Sequence, residues 1–380
     1  MVVLGAGFGG LELATTLAAS PESVEVVLVD RAEGFVFGYS KLDVMFGRAA
    51  PEQVLHRYAD LVNPGVRFVA AEVTAIDPVT RRVETSAGPF EADILVVALG
   101  ADLHPSATPG LLEGGHEFYT VPGAFAAADA LREFPGGRVV VAVTSTPFKC
   151  PPAPSETALL THEYLTSRGL PADVTLVMPL GTPIPPSPDA SAAVLAAFAE
   201  RGITWMPERL VRSLDPARRV AHLSDDTELA YDLFLGVPQH RAPRVVAESG
   251  LTVDGWIPVD PLTLETTYPQ VYAVGDVTSV GTPKAGVFAE GQAAVVAARI
   301  LASLHGSPDG TQYDGRGVCY LEFGDDRVAK VDVKFVAGQR PTGGLIGPSA
   351  ELAGDKTAFG RDRIRRWFGR DWATAASTGG

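Results

Sequence analysis

The sequence predicts an α/β protein in which one nucleotide-binding unit is interrupted by a second and an α+β segment closes the chain. Three observations carry that expectation. The chain opens on a strand, Val2-Val3-Leu4, that runs into Gly5-Ala6-Gly7-Phe8-Gly9-Gly10 and then a helical stretch, so GxGxxG stands between strand and helix. A second strand–turn–helix passage begins at Arg138 to Val143. A strand ending in Gly-Asp, Val271 to Asp276, returns late in the chain to complete the first unit. The expected class is therefore two dinucleotide-binding, Rossmann-like domains, the second inserted in the first. Residues 1–103 and 231–305 make the first, 104–230 the second, and 306–380 a C-terminal domain. A chain of 380 residues is too long for one ordinary core and suits this division.

Composition narrows the function. Apolar residues make up 46% and charged residues 20%, as in a well-packed globular chain. A net charge of −14 argues against a nucleic-acid partner, which would select a basic face. The sequence offers no run of about 18 uncharged apolar residues, so no transmembrane helix is expected. A first strand that starts at Val2 leaves no room for a signal peptide, and the cytoplasm is the expected compartment. Two cysteines rule out a disulfide scaffold, and their separation rules out a CxxC site.

In chain order, each glycine of the fingerprint has a mechanical task. Gly5 permits a tight turn, Gly7 lets the backbone approach a pyrophosphate, and Gly10 allows the helix to lie close to the strand. The helix, Leu11 to Ala19, offers its N-terminus to phosphate charge. The next strand, Val24 to Val29, ends in Asp30, placed to accept from a ribose hydroxyl. Phe35 to Arg48 is an aromatic loop and helix containing Tyr39-Ser40-Lys41. Strand-like runs near Val66–Val69 and Arg82–Thr85 precede Ala92 to Gly100, a buried parallel strand ending in a glycine turn.

The second unit departs from the first at its turn. After Val139–Val143 come Thr144-Ser145-Thr146-Pro147-Phe148-Lys149-Cys150-Pro151-Pro152-Ala153-Pro154, with no glycine fingerprint, and a helical run from about Ser155 to Ser167. The prolines exclude helix through Pro154 and stiffen the approach. Cys150 is thus expected at the mouth of a helix and beside Lys149, where dipole and charge favour the thiolate. The following strand, Val174 to Val177, ends in Met178-Pro179 with no ribose partner. The fold of a nicotinamide domain is expected here without its binding chemistry. Ala190 to Arg201 is a short helix, and Tyr231 to Pro238 is assigned to the returning first domain.

A helix from Gly286 to Leu304 follows the Gly-Asp strand. Then Gly315 to Tyr320 brings Cys319 into an antiparallel sheet. The tail, Phe359 to Trp372, carries five arginines with Ile364, Trp367 and Phe368 on one helical face. A solvated helix is the preferred reading, ahead of a weak peripheral contact with an anionic membrane.

GAGFGG with Asp30, the strands ending LVVALG and VYAVGD, and PKAGVFAEGQA at Pro283 to Ala293 together resemble the FAD-dependent pyridine nucleotide-disulfide oxidoreductase superfamily. FKCPPAP at Phe148 to Pro154, with Cys319, resembles the sulfide:quinone oxidoreductase and flavocytochrome c sulfide dehydrogenase group. The resemblance implies FAD in the first domain. Gly5, Gly7 and Gly10 would hold the pyrophosphate, Asp30 the adenosine ribose, Asp276 the ribityl chain, and Lys284 and Gly286 the flavin ring. Phe8, Gly9, Arg31, Lys41, Gly100, Pro147, Gly275 and Ala285 would make further contacts. It also implies that Cys150 and Cys319 form a redox-active disulfide, which a small sulfur-containing substrate attacks. Two electrons then pass through FAD to a quinone or other acceptor. A homodimer is compatible with it, as is a place at the inner face of a membrane.

In related reductases a Glu placed like Glu156 pairs with a Lys near the flavin, and Lys41 is the available partner. A surface Glu complementing the helix dipole is the competing reading. His240 is a candidate acid/base at the cysteine site, although a loop His is more often merely exposed. The remaining histidines have no metal spacing, and no metal is expected. Two alternatives stay open beside sulfur oxidation: an NAD(P)H-dependent flavin reductase, and a flavin-binding module with structural or sensory cysteines.

Overall fold

The computed structural model describes residues 1–21, 24–61, 63–307 and 310–372. Strand β1 (Val2–Leu4) turns at Gly5 into α1 (Phe8–Ala18). Gly5 has a φ of 98°, and a Cβ there would lie 2.4 Å from the Ala98 carbonyl oxygen. A Cβ at Gly10 would lie 1.8 Å from the Gly5 carbonyl oxygen, so only glycine lets helix and strand approach this closely. β2 (Val26–Asp30), α2 (Gly38–Met45), β3 (Val66–Ala70) and β4 (Leu95–Val97) complete the first passage.

The second unit contains β5 (His116–Glu117), α3 (Val121–Glu133), β6 (Gly137–Val143), α4 (Ala153–Ser167), β7 (Ala172–Val177), α5 (Pro188–Arg201), β8 (Thr204–Met206) and β9 (Leu233–Val237). Its parallel sheet runs β5-β9-β6-β7-β8. Here the structure corrects a boundary. β9 pairs with β6 in the register Val139↔Leu233 to Val143↔Val237, so the second unit reaches Val237 and does not end at residue 230. Tyr231-Asp232-Leu233-Phe234-Leu235 is apolar enough for either sheet, and only pairing decides between them. Asp102–His104 and Gln239–Arg241 pair antiparallel where the chain leaves the first unit and returns to it.

β10 (Val271–Ala273) then pairs with β4, giving a first sheet of order β10-β4-β1-β2-β3. α6 (Gly286–Leu304) packs on α1. By length and composition α6 could cross a membrane, contrary to the sequence expectation. Its buried face, including Phe288, Ala293, Val296 and Ile300, belongs instead to the core around the first sheet and the cavity. The C-terminal segment is an antiparallel sheet of β11 (Arg316–Gly324), β12 (Arg327–Lys334) and β13 (Thr342–Ser349), followed by α7 (Glu351–Phe368).

α7 is not a solvated helix. Ile364, Trp367 and Phe368 are fully buried, and the Trp367 ring meets Phe8 and Phe35 edge-on with centroids 5.5 and 5.4 Å apart. The Trp367 indole donates to Glu12 (2.7 Å), Arg366 pairs with Glu12 (2.7 Å), and Arg363 pairs with Glu290 (2.7 Å). The basic face complements acids of α1 and α6, so the apolar face is spent inside the protein and is not offered to lipid. Burial of that face ties the C-terminal segment to the first unit.

Candidate active site

A cavity of about 330 Å³ opens where the three parts meet. The fingerprint turn, α2, the cysteine loop before α4, the start of α6 and strand β11 all contribute to its wall. At one end lies Gly7, the residue before α1. Its φ is −77°, it has no side-chain cap, and a Cβ there would meet nothing within 4 Å. This is an open cradle at a helix N-terminus, the geometry that accepts a pyrophosphate. α6 begins at the cavity in the same manner, with Ala285 providing no side-chain cap. A Cβ on Gly286 would strike the Phe8 ring at 2.3 Å, so glycine is required for the two helix starts to close on each other. Two uncapped helix N-termini at one cavity fit a dinucleotide such as FAD.

Asp30 is committed locally. Its Oδ2 accepts from the Ala6 amide (2.6 Å) and its Oδ1 from the Ala32 amide (2.8 Å). This shapes the turn beside the cavity, outside its wall. Arg31 is exposed and pairs with Glu72 at 3.3 Å. Gly5, Gly10, Pro147 and His240 also lie off the wall. Phe8, Gly9, Gly100, Gly275, Asp276, Lys284, Ala285 and Gly286 lie on it, as do Lys41, Cys150, Glu156 and Cys319.

The cysteine loop is tied to the first unit through its backbone. The Cys150 amide donates to the Lys284 carbonyl (2.7 Å), and Lys149 bridges Lys284 in parallel. Cys150 itself has a φ of 47°, a strained conformation for a residue with a Cβ and one that clusters at functional sites. α4 starts at Ala153, earlier than expected, because Pro154 falls within its first turn, where no amide partner is lost. Cys319, at the fourth position of β11, lines the same cavity from the opposite part of the chain. Both thiols are free.

The thiolate expectation is overturned. Cys150 is accessible from the cavity, yet the protein packed around it pushes its thiol up by desolvation, assisted by Cys319 and Glu156. Lys41 pulls the other way, as does the hydrogen bond to Ala153, without prevailing. Burial and Glu156 push Cys319 up to about 12. An isolated view of Lys149 and the helix dipole could not foresee the desolvation.

Lys41 and Glu156 do not pair with each other. The Lys41 ammonium donates to the Tyr119 carbonyl, and burial together with Lys149 lowers it to about 8. The Glu156 carboxylate accepts the Glu322 amide (2.9 Å) and is buried, so the surface reading fails too. Burial and the neighbouring Glu322 carboxylate raise Glu156. Burial acts on Glu322 in the same sense, but Lys356 and Arg48, both bonded to it, outweigh it and hold Glu322 low. His240 is buried, its Nδ1 bonded to the Pro238 carbonyl (2.9 Å), and burial with Lys149 lowers it to about 3. A neutral imidazole off the cavity wall is not an acid/base at the cysteines. Lys284 anchors the Asp276 turn, donating to the carbonyls of Asp276 (2.6 Å) and Thr278 (3.1 Å), with Trp256 stacked at 3.3 Å from its ammonium.

The sequence reading missed Tyr39, Tyr119, Tyr320 and Phe359 on the wall, and the Arg48–Glu322–Lys356 cluster behind Glu156. None carries a motif, and tertiary contacts bring them together, from 34 residues apart for Glu322 and Lys356 to 274 for Arg48 and Glu322. Among the described residues no group of three or more His, Cys, Asp or Glu side chains could hold a metal.

Known proteins similar to this chain cover most of its length. Residues 1–298 match the family model described as pyridine nucleotide-disulphide oxidoreductase. A mitochondrial sulfide:quinone oxidoreductase of Mus musculus is 25% identical over 356 residues, covering 89% of this chain and 78% of that protein. A sulfide-quinone reductase of Aquifex aeolicus is 26% identical over 353 residues, covering 86% of this chain and 81% of that protein. The solved structure of the sulfide:quinone oxidoreductase of Aquifex aeolicus superposes with a TM-score of 0.84 at 22% identity, over 97% of this chain and 91% of that one.

Proposed function

Because the chain belongs to the pyridine nucleotide-disulphide oxidoreductase family and is an FAD-dependent oxidoreductase, we propose that it oxidises sulfide or a related sulfur compound at Cys150 and Cys319 and delivers two electrons to a quinone. The observation that carries this reading is the meeting of its only two cysteines, 169 residues apart (319 − 150), on one cavity with the glycine cradle. Bound FAD supplies a two-electron acceptor between the sulfur and the quinone.

The residues divide the work by accessibility and charge. Lys41 and Lys149 border the cavity and favour an anionic sulfur donor over a neutral one. In the oxidised pair, hydrosulfide attacks the accessible Cys150 sulfur. The S–S bond breaks, Cys150 carries the persulfide, and Cys319 leaves with the electron pair as thiolate. Cys319 suits the leaving role because it is the less accessible of the two sulfurs to an incoming nucleophile. Removal of the outer sulfur by a second nucleophile leaves a dithiol, whose return to the disulfide releases two electrons. Glu156 borders both sulfurs and, being raised, can hold a proton there near neutrality. Tyr39, Tyr320 and Phe359 form an aromatic wall suited to a flat acceptor, with Tyr320 and Phe359 centroids 5.6 Å apart.

Anaerobic titration tests the reading. Sulfide should bleach the flavin of the parent protein. Cys150→Ser and Cys319→Ser should each retain FAD yet bleach more than about a hundredfold more slowly, as expected for loss of an essential nucleophile. Either variant bleaching at the parental rate overturns the sulfur mechanism.

A further inference from the structure

One of the two thiols lies on β11, the other just before α4, and side chains of α4 are bonded to the backbone of β11. β11 is an edge strand, paired within its sheet only with β12. α4 packs against it and offers carboxylates where a further strand would offer carbonyls. Glu156 Oε1 accepts the Glu322 amide (2.9 Å). Glu163 Oε1 accepts the Asp325 amide (2.6 Å), one residue past the end of β11.

The spacing of these two rungs is what the two backbones dictate. From Glu156 to Glu163 (163 − 156) the helix advances about 10.5 Å. From Glu322 to Asp325 (325 − 322) extended chain advances about 10 Å. Helix and strand therefore lie in register, with the chain running the same way in both. Carried back toward the N-terminal ends, that register leads to Cys150 before Glu156 and to Cys319 before Glu322. Both cysteines border one cavity, and Glu156 borders it with them.

The two rungs differ in their surroundings. Glu156 and Glu322 are both buried, whereas the rung from Glu163 to Asp325 is exposed. Water does not compete for the buried bond, so it constrains the elements more. Its far end is anchored, because the Glu322 carboxylate is held by Arg48 (3.0 Å) and Lys356. The cysteine loop is anchored too, by the Cys150 amide on the Lys284 carbonyl (2.7 Å).

We propose that Glu156 is a positioning residue that holds α4 against β11 so that the Cys150 and Cys319 sulfurs stay within bonding reach of each other. The proposal rests on the reading of these cysteines as a redox pair and gives Glu156 a task separate from holding a proton. A carboxyl oxygen accepts an amide in either protonation state, so the link survives titration of the group. Holding one thiol beside the other raises its effective concentration and favours the disulfide.

The test is the dithiol–disulfide equilibrium of the FAD-bound protein, set anaerobically by mixtures of reduced and oxidised glutathione. Oxidised glutathione takes two electrons and two protons from the pair and becomes two thiols as the S–S bond forms. Acid quenching, alkylation and mass spectrometry read the two forms. Glu156→Ala removes the acceptor, and Glu156→Asp keeps the charge but falls one methylene short. Glu156→Gln keeps the reach and an acceptor oxygen without the charge. The Ala and Asp variants should each lose about tenfold in the equilibrium constant for the disulfide, a rise of about 30 mV in its reduction potential. The Gln variant should stay within about twofold of the parent. Should the Ala variant not fold, Asp against Gln carries the comparison. An equilibrium unchanged in the Ala or Asp variant overturns the assignment, as does a loss in the Gln variant as large as theirs. A parent whose cysteines form no disulfide overturns the proposal together with the reading it rests on. Sulfide failing to bleach the flavin of a parent that does form it counts against the sulfur-oxidising reading alone, because the glutathione equilibrium needs no turnover.

Discussion

Glu156 illustrates how one position can be chemically loaded by neighbours far away in sequence. It sits in the first turn of α4, buried, between the two thiols on one side and the Arg48–Glu322–Lys356 cluster on the other. Burial and the adjacent Glu322 carboxylate make the folded protein hold the Glu156 proton more tightly than the unfolded chain does. This group contributes stability that is fully present below the ordinary carboxylate range, and it is lost as the pH rises through the elevated folded value toward neutrality. Glu156→Gln keeps an oxygen to accept the Glu322 amide and removes the titration. The parent-minus-variant difference in melting temperature should therefore fall between about pH 4.5 and 7 and level off on either side. A flat difference curve, read by thermal denaturation across that range, would return Glu156 to a merely structural role. His240 acts oppositely: its lowered value means stability lost as the pH falls from its ordinary range toward 3, so a difference against the parent isolates Glu156 from it.

The turn from β1 into α1 separates what glycine does for the fold from what it does for the cofactor. Gly5 and Gly10 are required by backbone contacts at 2.4 and 1.8 Å, whereas Gly7 has ordinary φ and open space before it. Gly7→Val should leave stability within about 1 kcal/mol of the parent, since neither strain nor a clash is introduced. It should nonetheless yield colourless protein, because the side chain fills the cradle. Gly10→Val should lower the melting temperature before any question of flavin arises. Absorbance near the flavin maximum together with thermal denaturation distinguishes them, and a yellow Gly7→Val protein would move the pyrophosphate elsewhere. These local demands are why the fingerprint was legible from sequence, as were α6, found over the residues expected, and the strand before Cys150. Pairing and long-range contact were not legible. The apolar run at Leu233–Val237 suits either sheet, and only its partner β6 assigns it to the second unit. Ile364, Trp367 and Phe368 form a narrow apolar arc that looks solvated until Phe8, Phe35 and Phe37 are seen to receive it. The environment of Cys150 was misjudged for the same reason, since burial depends on everything packed around it.

The two units share an architecture but use the equivalent turn for different ends. In the first unit a short glycine turn leads directly into α1 and leaves its amides open. In the second, residues 144–152 separate β6 from α4, and this stretch runs across to the first unit, where the Cys150 amide meets the Lys284 carbonyl. Thr144 is held back on the second sheet, its hydroxyl donating to the Val237 carbonyl (3.1 Å). The start of α4 is poorly suited to a phosphate. Pro152 and Pro154 supply no N–H, and the first turn carries the buried Glu156 carboxyl, which would repel an anion when ionised. β7 ends at Val177 before Met178-Pro179, so no side chain there meets a ribose. The loop that would cradle a nicotinamide dinucleotide has instead become the arm that delivers a thiol to the first unit's cavity. NADH and NADPH should therefore reduce the bound flavin far more slowly than sulfide does, well below the about 10 s⁻¹ typical of enzyme turnover. Anaerobic stopped-flow mixing with each donor measures this directly. Reduction by either nucleotide at turnover rates, with sulfide inert, would assign the chain to the NAD(P)H-dependent reductases and make Cys150 a structural residue of its loop.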